Sequence, residues 1–270
     1  MKVLENSTIN ELLLKLGLGH HKINHLLNTN KIKKSSVFLK TNDSVNIGDN
    51  IIIDISEYEN IDYEPSYYNL NILYEDEYLL IIDKPYDTLI YDDKLNNTLA
   101  NYVRYYFEIN NINRSIRHVH RLDKETTGCI LYAKDIVTHS ALSKMLEKNE
   151  ITRIYHATVE GKIKKQGVFN NPIGKDRHQK NKMVVYDKGV CAITNYKLIE
   201  YDKHKNQSLV QIKLDTGRTH QIRVHFSYNK NPLVGDKIYN PNYNGEKLEL
   251  VSYSIEFIHP ITGKKVFVNV

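Results

Sequence analysis

A single carboxylate, Asp123, lies between two basic residues in a polar segment that leads directly into an apolar run. Residues 120–128 have the sequence HRLDKETTG, and CILYA follows at 129–133. Arg121 and Lys124 favour the ionised carboxylate by charge, and the threonines and glycine that follow can supply backbone donors and a tight turn. A carboxylate that is rigid, ionised and next to a strand is suited to covalent or proton-transfer chemistry. Taken alone, the segment also fits a charged surface loop in which Asp123 is only ion-paired.

A tyrosine, Tyr155, stands in the alternating strand predicted at residues 152–161, TRIYHATVEG. Alternation places it on the same face as Arg153, Ala157 and Val159. An aromatic ring at this place could stack on a base or carry a proton. A half-buried core tyrosine is the more common reason for such a residue.

A second cluster of functional residue types occupies 216–225, TGRTHQIRVH. Gly217 makes a turn, Arg218 projects from the end of a strand, and a helix is predicted to begin near His220. A guanidinium can hold a buried carboxylate in a bidentate geometry that lysine cannot match. Arg218 is therefore a candidate partner for an acidic group elsewhere in the chain.

The histidines raise the alternative of a metal-dependent hydrolase that uses His118, His120, His220 and His225. No carboxylate or cysteine accompanies them at a spacing typical of metal ligands, so we predict no metal site. The sequence also lacks a glycine-rich phosphate-binding loop.

Taken in order, these segments resemble the signature motifs of the RluA/RluD-type pseudouridine synthases. Residues 120–128 resemble the first motif, 153–161 the second and 216–225 the third, and the segments PLVGD at 232–236 and HPITG at 259–263 also fall where that family has similar ones. One departure concerns Lys84 and Pro85, after which the family usually has a small residue and a glycine but this chain has Tyr86 and Asp87. The resemblance covers residues 71–270.

The resemblance implies isomerisation of specific uridines in structured RNA to pseudouridine, without a cofactor. It assigns Asp123 as the essential carboxylate, acting on the sugar or on the base. Tyr155 would stack on the flipped base and assist proton removal, and Arg218 would pair with Asp123. Arg121 would enter the space left by the target nucleotide or hold its phosphate. The remaining predicted RNA contacts are His120, Lys124 and Arg223.

The fold that the resemblance implies is α+β: a mixed, largely antiparallel sheet with helices around a central catalytic cleft. We expect this domain to span 71–270, with a helix at 136–149 and a strand pair at 192–201 and 208–214. An acidic, tyrosine-rich stretch at 56–70, with Pro65 and no periodicity, is predicted to be a linker.

The first 55 residues are predicted to form a small α/β-hairpin domain. Thr8 and Glu11 fit a capping box, a second helix is predicted at 20–28, and strands at 37–39 and 51–53 are predicted to form a hairpin. Two small helices followed by a hairpin resemble the RNA-binding domain named after ribosomal protein S-four. This segment lacks that family's Val-Asn-Gly turn and has a weaker basic face; a generic helical cap is the alternative.

Composition permits an RNA partner without demanding one. The net charge is +5 and the isoelectric point is near 8.8, which is mildly basic. Cys129 and Cys191 are predicted to be small core residues, and no signal peptide or membrane-spanning run is evident. The absence of these signals predicts a cytoplasmic protein. The family resemblance implies a monomer, and the resemblance of the N-terminal domain implies ribosomal RNA as the substrate, with transfer RNA as the second possibility. A non-catalytic RNA-binding protein with a decayed synthase domain is the alternative.

Overall fold

A computed structural model describes residues 1–60 and 62–270; Ile61, within the predicted linker, lies outside the described residues. The N-terminal unit consists of β1 (Ser7–Thr8), α1 (Ile9–Lys15), α2 (His20–Asn28), β2 (Ile32–Lys34), β3 (Val37–Phe38), β4 (Ser44–Val45) and β5 (Ile51–Ile53), and a 3₁₀ turn follows at Ser56–Tyr58.

The larger unit begins with β6 (Asn71–Glu75), β7 (Leu79–Lys84), α3 (Leu99–Ile109), β8 (Arg117–His118), β9 (Thr127–Ala133) and α4 (Ile136–Glu147). It continues with β10 (Thr152–Glu160), β11 (Gln166–Phe169), β12 (Ile173–Lys175), β13 (Met183–Val185), β14 (Thr194–Asp202) and β15 (Gln207–Leu214). The last elements are α5 (Gln221–Tyr228), β16 (Leu250–Ile258) and β17 (Lys265–Asn269).

Ten strands of the larger unit form one sheet in the order β11-β14-β15-β10-β16-β9-β7-β6, with β17 on β16 and β8 on β9. Its pairs are antiparallel except for β16 and β9, which run parallel and pair Val251 with Thr127 and Ser252 with Gly128. The predicted α+β fold with a mixed, largely antiparallel sheet is confirmed. The parallel pair lies directly after the Asp123 segment and joins the two halves of the sheet.

Helices cover both faces of the sheet around β7 and β9. Leu79 and Leu131 pack with α4 on one face, whereas Leu80 and Ile130 pack with α3 on the other. Burial on both faces explains why 129–133 is an unbroken apolar run. The Asp123 segment is thereby anchored to the most buried strand of the sheet.

Gly128 allows the parallel strands to approach each other. Its φ is +100°, and a Cβ added there would stand 2.3 Å from the carbonyl oxygen of Ser252. Only glycine meets both conditions without strain.

We expect Gly128→Ala to lower the free energy of unfolding by about 3 kcal/mol or more, because it combines left-handed strain with a backbone clash. Gly48→Ala is the matched control, since Gly48 has φ +93° but open space around it; it should cost only about 1–2 kcal/mol. Urea unfolding of both variants provides the measurement. Equal losses would show that the strand approach at Gly128 tolerates a methyl group.

The N-terminal unit confirms the two predicted helices but not the predicted hairpin. Thr8 and Glu11 form the capping box, whereas β3 and β5 both pair with β2 and not with each other. Ser35, with φ +52°, makes the tight turn between β2 and β3. Because β2 contains two lysines, its sequence lacks a strand-like apolar pattern and did not predict this central strand.

The N-terminal unit and residues 56–60 and 62–70 both pack on the larger unit. Val137 and Ala141 of α4 belong to the core of the N-terminal unit. In the segment that was predicted to be a linker, Glu59 makes a buried ion pair with Arg117 at 2.8 Å, and Tyr68 stacks on Tyr102 of α3. These residues are therefore part of the folded body.

Candidate active site

The larger unit contains a cleft with a volume of about 870 Å³. The Asp123 segment, the start of β10 and the connection between β15 and α5 form its walls, so the three predicted motifs meet there. Asp123, Tyr155 and Arg218 all line it. The sheet order explains this, because β10 lies between β15 and β16, and β16 lies beside β9.

Asp123 is held in a short, internally bonded loop. Its carbonyl oxygen accepts a hydrogen bond from the Thr126 amide at 3.1 Å, and about a quarter of its side chain is exposed to the cleft. The carbonyl of the next residue, Lys124, accepts bonds from the Thr88 amide and the Lys84 ammonium. The carboxylate thus projects into the cleft from a backbone that is fixed on both sides.

Lys84 is the fully buried cation that ties this loop to β7. Its ammonium donates to the carbonyl oxygens of Pro85, Thr88 and Lys124 at 2.8–2.9 Å. Burial lowers the pKa of Lys84 to about 8, although the negative charge of Asp123 opposes the shift. All three of its donors are used by backbone, so Lys84 acts as a structural clamp beneath Asp123.

Arg223 on α5 is the arginine that pairs with Asp123. Its Nη1 lies 3.4 Å from Oδ2 of Asp123, its Nη2 lies 3.5 Å from Glu125, and two further bonds of 2.7 Å reach both oxygens of Asp236. Burial lowers the pKa of Arg223, but Asp236, Asp123 and Glu125 together raise it by more. A permanent positive charge therefore stands beside Asp123.

The prediction that Arg218 pairs with Asp123 is wrong. Arg218 is exposed at the rim of the cleft, and its Nε donates to the carbonyl of Cys191 at 3.0 Å. The chain turns at 216–220 before α5 begins, so Arg218 lies outside the helix while Arg223, one turn into it, faces inward. Cys191 is likewise exposed, contrary to the prediction of a core cysteine.

His220 is a second neighbour of the carboxylate that the sequence did not identify. It is the first residue before α5 and has φ +56°, an uncommon conformation for a residue with a side chain. Its Nε2 lies 3.9 Å from Oδ2 of Asp123, and its Nδ1 bonds to the Tyr239 hydroxyl at 2.8 Å. Burial lowers the pKa of His220, although the negative charge of Asp123 opposes the shift. The lowered pKa favours a neutral imidazole at neutral pH.

Tyr155 stands on the buried face of β10, as the alternation predicted. It is 4% exposed, and its strand neighbours are Ile212 on β15 and Ser252 on β16. Tyr155 lines the same cleft as Asp123.

The predicted RNA contacts divide into exposed and buried residues. Arg121 and Lys124 are exposed, and Lys124 pairs with Asp87 at 2.9 Å. His120 and Arg223 have other roles: His120 accepts a hydrogen bond from the Leu131 amide, and the guanidinium of Arg223 is occupied by carboxylates. Sequence position alone could not separate these two groups.

His120 makes the stability of the fold depend on pH. Burial, aided by the charge of Arg153, lowers its pKa to about 3. Between about pH 6.5 and pH 3 the unfolded chain binds more protons at this residue than the folded chain, so stability falls as pH falls through that range. We expect His120→Gln, which keeps an acceptor for Leu131, to remove about 1–2 kcal/mol of the loss between pH 7 and pH 5. Urea unfolding at both pH values measures it; parallel losses in both proteins would refute this role.

The four histidines of the metal alternative have different partners. His118 stacks on Tyr91, and the two ring nitrogens of His225 bond to Thr194 and to the carbonyl of Asn171. Within residues 1–60 and 62–270, no group of three or more histidines, cysteines or carboxylates is placed to hold a metal ion.

Comparison with known proteins decides the family. The model of the RNA pseudouridylate synthase family matches residues 78–228. The chain belongs to this family. The matched range contains Asp123, Tyr155, Arg218 and Arg223, which all line the cleft described above.

Relatives in sequence and in structure agree. The Uncharacterized RNA pseudouridine synthase YhcT of Bacillus subtilis is 38% identical over 243 residues, which cover 87% of this chain and 80% of YhcT. Ribosomal large subunit pseudouridine synthase D of Pseudomonas aeruginosa is 36% identical over 208 residues, which cover 76% of this chain and 64% of that relative. The structure of Human RNA Pseudouridylate Synthase Domain Containing 1 aligns with a TM-score of 0.64 and 25% identity over 77% of this chain and 85% of that one.

The predicted family, reaction class and fold of this pseudouridine synthase are thus confirmed. Nothing in these comparisons supports the alternative of a decayed synthase domain. The described part of the chain contains no helix of the length and apolar character that crossing a bilayer requires.

Proposed function

We propose that this synthase converts specific uridines of structured ribosomal RNA to pseudouridine with Asp123 as its essential carboxylate. The single observation that carries the proposal is the Asp123 carboxylate in the cleft, 3.4 Å from the buried guanidinium of Arg223. Several relatives bear the name ribosomal large subunit pseudouridine synthase D, which favours ribosomal RNA over transfer RNA.

The reaction is an isomerisation and needs no co-reactant. The bond from C1′ of the ribose to N1 of uracil breaks, and a bond from C1′ to C5 forms. The proton on C5 leaves and N1 gains one, so atoms and electrons balance within the substrate. Proton transfer and charge stabilisation are tasks that side chains can perform.

The side chains of the cleft suit these tasks. Asp123 acts on the sugar or the base, and the guanidinium of Arg223 holds its carboxylate in place. Tyr155 stacks on the uracil after it has left the RNA helix, since a base inside a stack is out of reach. Arg121, exposed beside Asp123, takes the space that the base leaves or holds its phosphate.

The remaining surface supports RNA binding outside the cleft. The N-terminal unit at 1–55 exposes His20, His21 and His25 along α2, and we infer that this face contacts RNA flanking the target. Such phosphate contacts add affinity without choosing the sequence. We expect the enzyme to act as a monomer in the cytoplasm.

The test maps pseudouridine across total RNA of the source cells, with wild-type protein and with Asp123→Asn. Loss of one or a few discrete ribosomal sites supports the proposal, and loss of transfer RNA sites alone would correct the substrate. Asp93→Asn, an exposed carboxylate outside the cleft, is the matched control. An unchanged map with folded Asp123→Asn protein would contradict the proposed reaction.

A further inference from the structure

Arg153 is a buried cation without an anionic partner. It is only 8% exposed. Its Nε is buried without a hydrogen-bond partner among the described residues, and no carboxylate of those residues lies within 4 Å of its guanidinium. A charge removed from water in this way is unfavourable unless something pairs with it.

The other buried lysines and arginines of the described residues each donate a side-chain hydrogen bond to a carbonyl or a carboxylate. Lys84 donates to three carbonyls, Arg104 to the carbonyl of Arg114, Lys134 to Glu75 and Arg223 to its carboxylates. Arg153 is thus the exception among the buried cations of the described residues. Its partner is to be sought outside the chain.

The guanidinium of Arg153 faces the active-site cleft. Arg153 lines the cleft together with Gly217 and Arg218, and a Cβ placed on Gly217 would stand 3.9 Å from its Nη1. Glu147, an exposed residue that also lines the cleft, makes no ion pair with Arg153 within 4 Å. The buried Nε and the open Nη atoms thus leave a positively charged recess in the wall.

The spacing of Arg153 and Tyr155 along β10 matches the dimensions of a nucleotide. Arg153 and Tyr155 share the buried face of β10, and two residues of a strand span about 7 Å. A uracil against Tyr155 would have its ribose between the two side chains and a phosphate near the guanidinium. Arginine is well suited to a phosphate because its fork of donors meets two oxygens at once.

We propose that Arg153 is the anion site of the cleft and binds a backbone phosphodiester next to the target uridine. This inference rests on the proposed function for the identity of the ligand, whereas the anion site rests on the unpaired guanidinium alone. Arg153 positions the substrate and takes no part in bond making.

The test exploits a trade-off between stability and binding. Because the unpaired charge is unfavourable in the free protein, Arg153→Met should leave the melting temperature unchanged or raise it. Arg104→Met is the matched control: Arg104 is equally buried but donates to a carbonyl, so its loss should lower the melting temperature. If Arg153→Met lowered the melting temperature as much as Arg104→Met does, Arg153 would have a structural role and the proposal would be overturned.

Sulfate ion at millimolar concentration, compared with chloride at equal ionic strength, probes the site without RNA. Wild type and Arg104→Met should show saturable stabilisation by sulfate, and Arg153→Met only the small linear effect common to proteins. Equal saturable responses in all three proteins would refute the anion site. This arm is independent of whether uridine is modified, so it separates failure of the site from failure of the proposed function.

RNA that contains the mapped uridine identifies the ligand. Arg153→Met should raise KM by about 10- to 100-fold with little change in kcat, the loss expected for one charge-assisted bond. An RNA with a neutral methylphosphonate beside the target should weaken wild type by a similar factor but leave the variant unchanged. Independent, multiplying losses from the two changes would exclude a phosphodiester as the ligand.

Discussion

Replacing Asp123 by asparagine should lower kcat at least about 10³-fold, because the amide can neither accept a proton nor carry the charge that the reaction uses. The protein should remain folded and bind RNA as before. Arg223 keeps its two short bonds to Asp236 when Asp123 is lost, and the Asp123 contact is the longer one at 3.4 Å.

Single-turnover conversion of an RNA containing the target uridine measures this effect, and RNA binding by the same protein supplies the control. Asp93→Asn should retain full activity. An Asp123→Asn protein that is folded, binds RNA and turns over within about tenfold of wild type would remove Asp123 from the chemistry.

Replacing Arg223 should have the second large effect, because it should lower both activity and stability. Arg223→Met should cost about 3–5 kcal/mol of unfolding free energy, because it leaves the fully buried Asp236 without its cation. Arg223→Lys keeps a charge but loses the bidentate bond to Asp236. We expect the lysine variant to fold with reduced stability and to lose about 10²–10³-fold in kcat, because Asp123 is no longer held.

Arg218→Lys is the matched comparison for this prediction. Arg218 is exposed and bonded to the Cys191 carbonyl, so its replacement should change KM by less than about tenfold and leave kcat intact. Steady-state kinetics of the two lysine variants separates the roles. A large kcat loss with Arg218→Lys and a small one with Arg223→Lys would restore the arginine assignment that the sequence predicted.

Local patterns predicted the elements of the site well because their causes are local. The alternation along β10 placed Tyr155 and Arg153 on one face, and the apolar run after Gly128 predicted the strand that anchors Asp123. Both follow from the two-residue period of strands and from burial. The prediction of an α+β fold came from the family resemblance and not from these local patterns.

Contacts between distant segments could not be predicted in the same way. Arg223 is separated from Asp123 by a hundred residues, and its closest partner, Asp236, follows a turn beyond the helix. One signal was available: a helix predicted to begin near His220 would place Arg223 about one turn inside it, in a segment rich in apolar residues. Arginine at such a position needs carboxylate partners, whereas Arg218 lies before the helix.

The prediction of a hairpin in the N-terminal unit was wrong for a related reason. The central strand β2 has one apolar residue followed by two lysines, so its pattern resembles a loop. Its pairing with β3 depends on the left-handed turn at Ser35, which a serine does not signal in sequence. Strand pairing is a tertiary property that short basic strands conceal.

The most direct measurement incubates the purified protein with ribosomal RNA from cells that lack its gene, and maps pseudouridine before and after. The account predicts that wild-type protein adds pseudouridine at one or a few discrete uridines and that Asp123→Asn adds none. Identical new sites with both proteins would contradict the assignment of Asp123, and no new site with wild type on either ribosomal or transfer RNA would contradict the proposed activity.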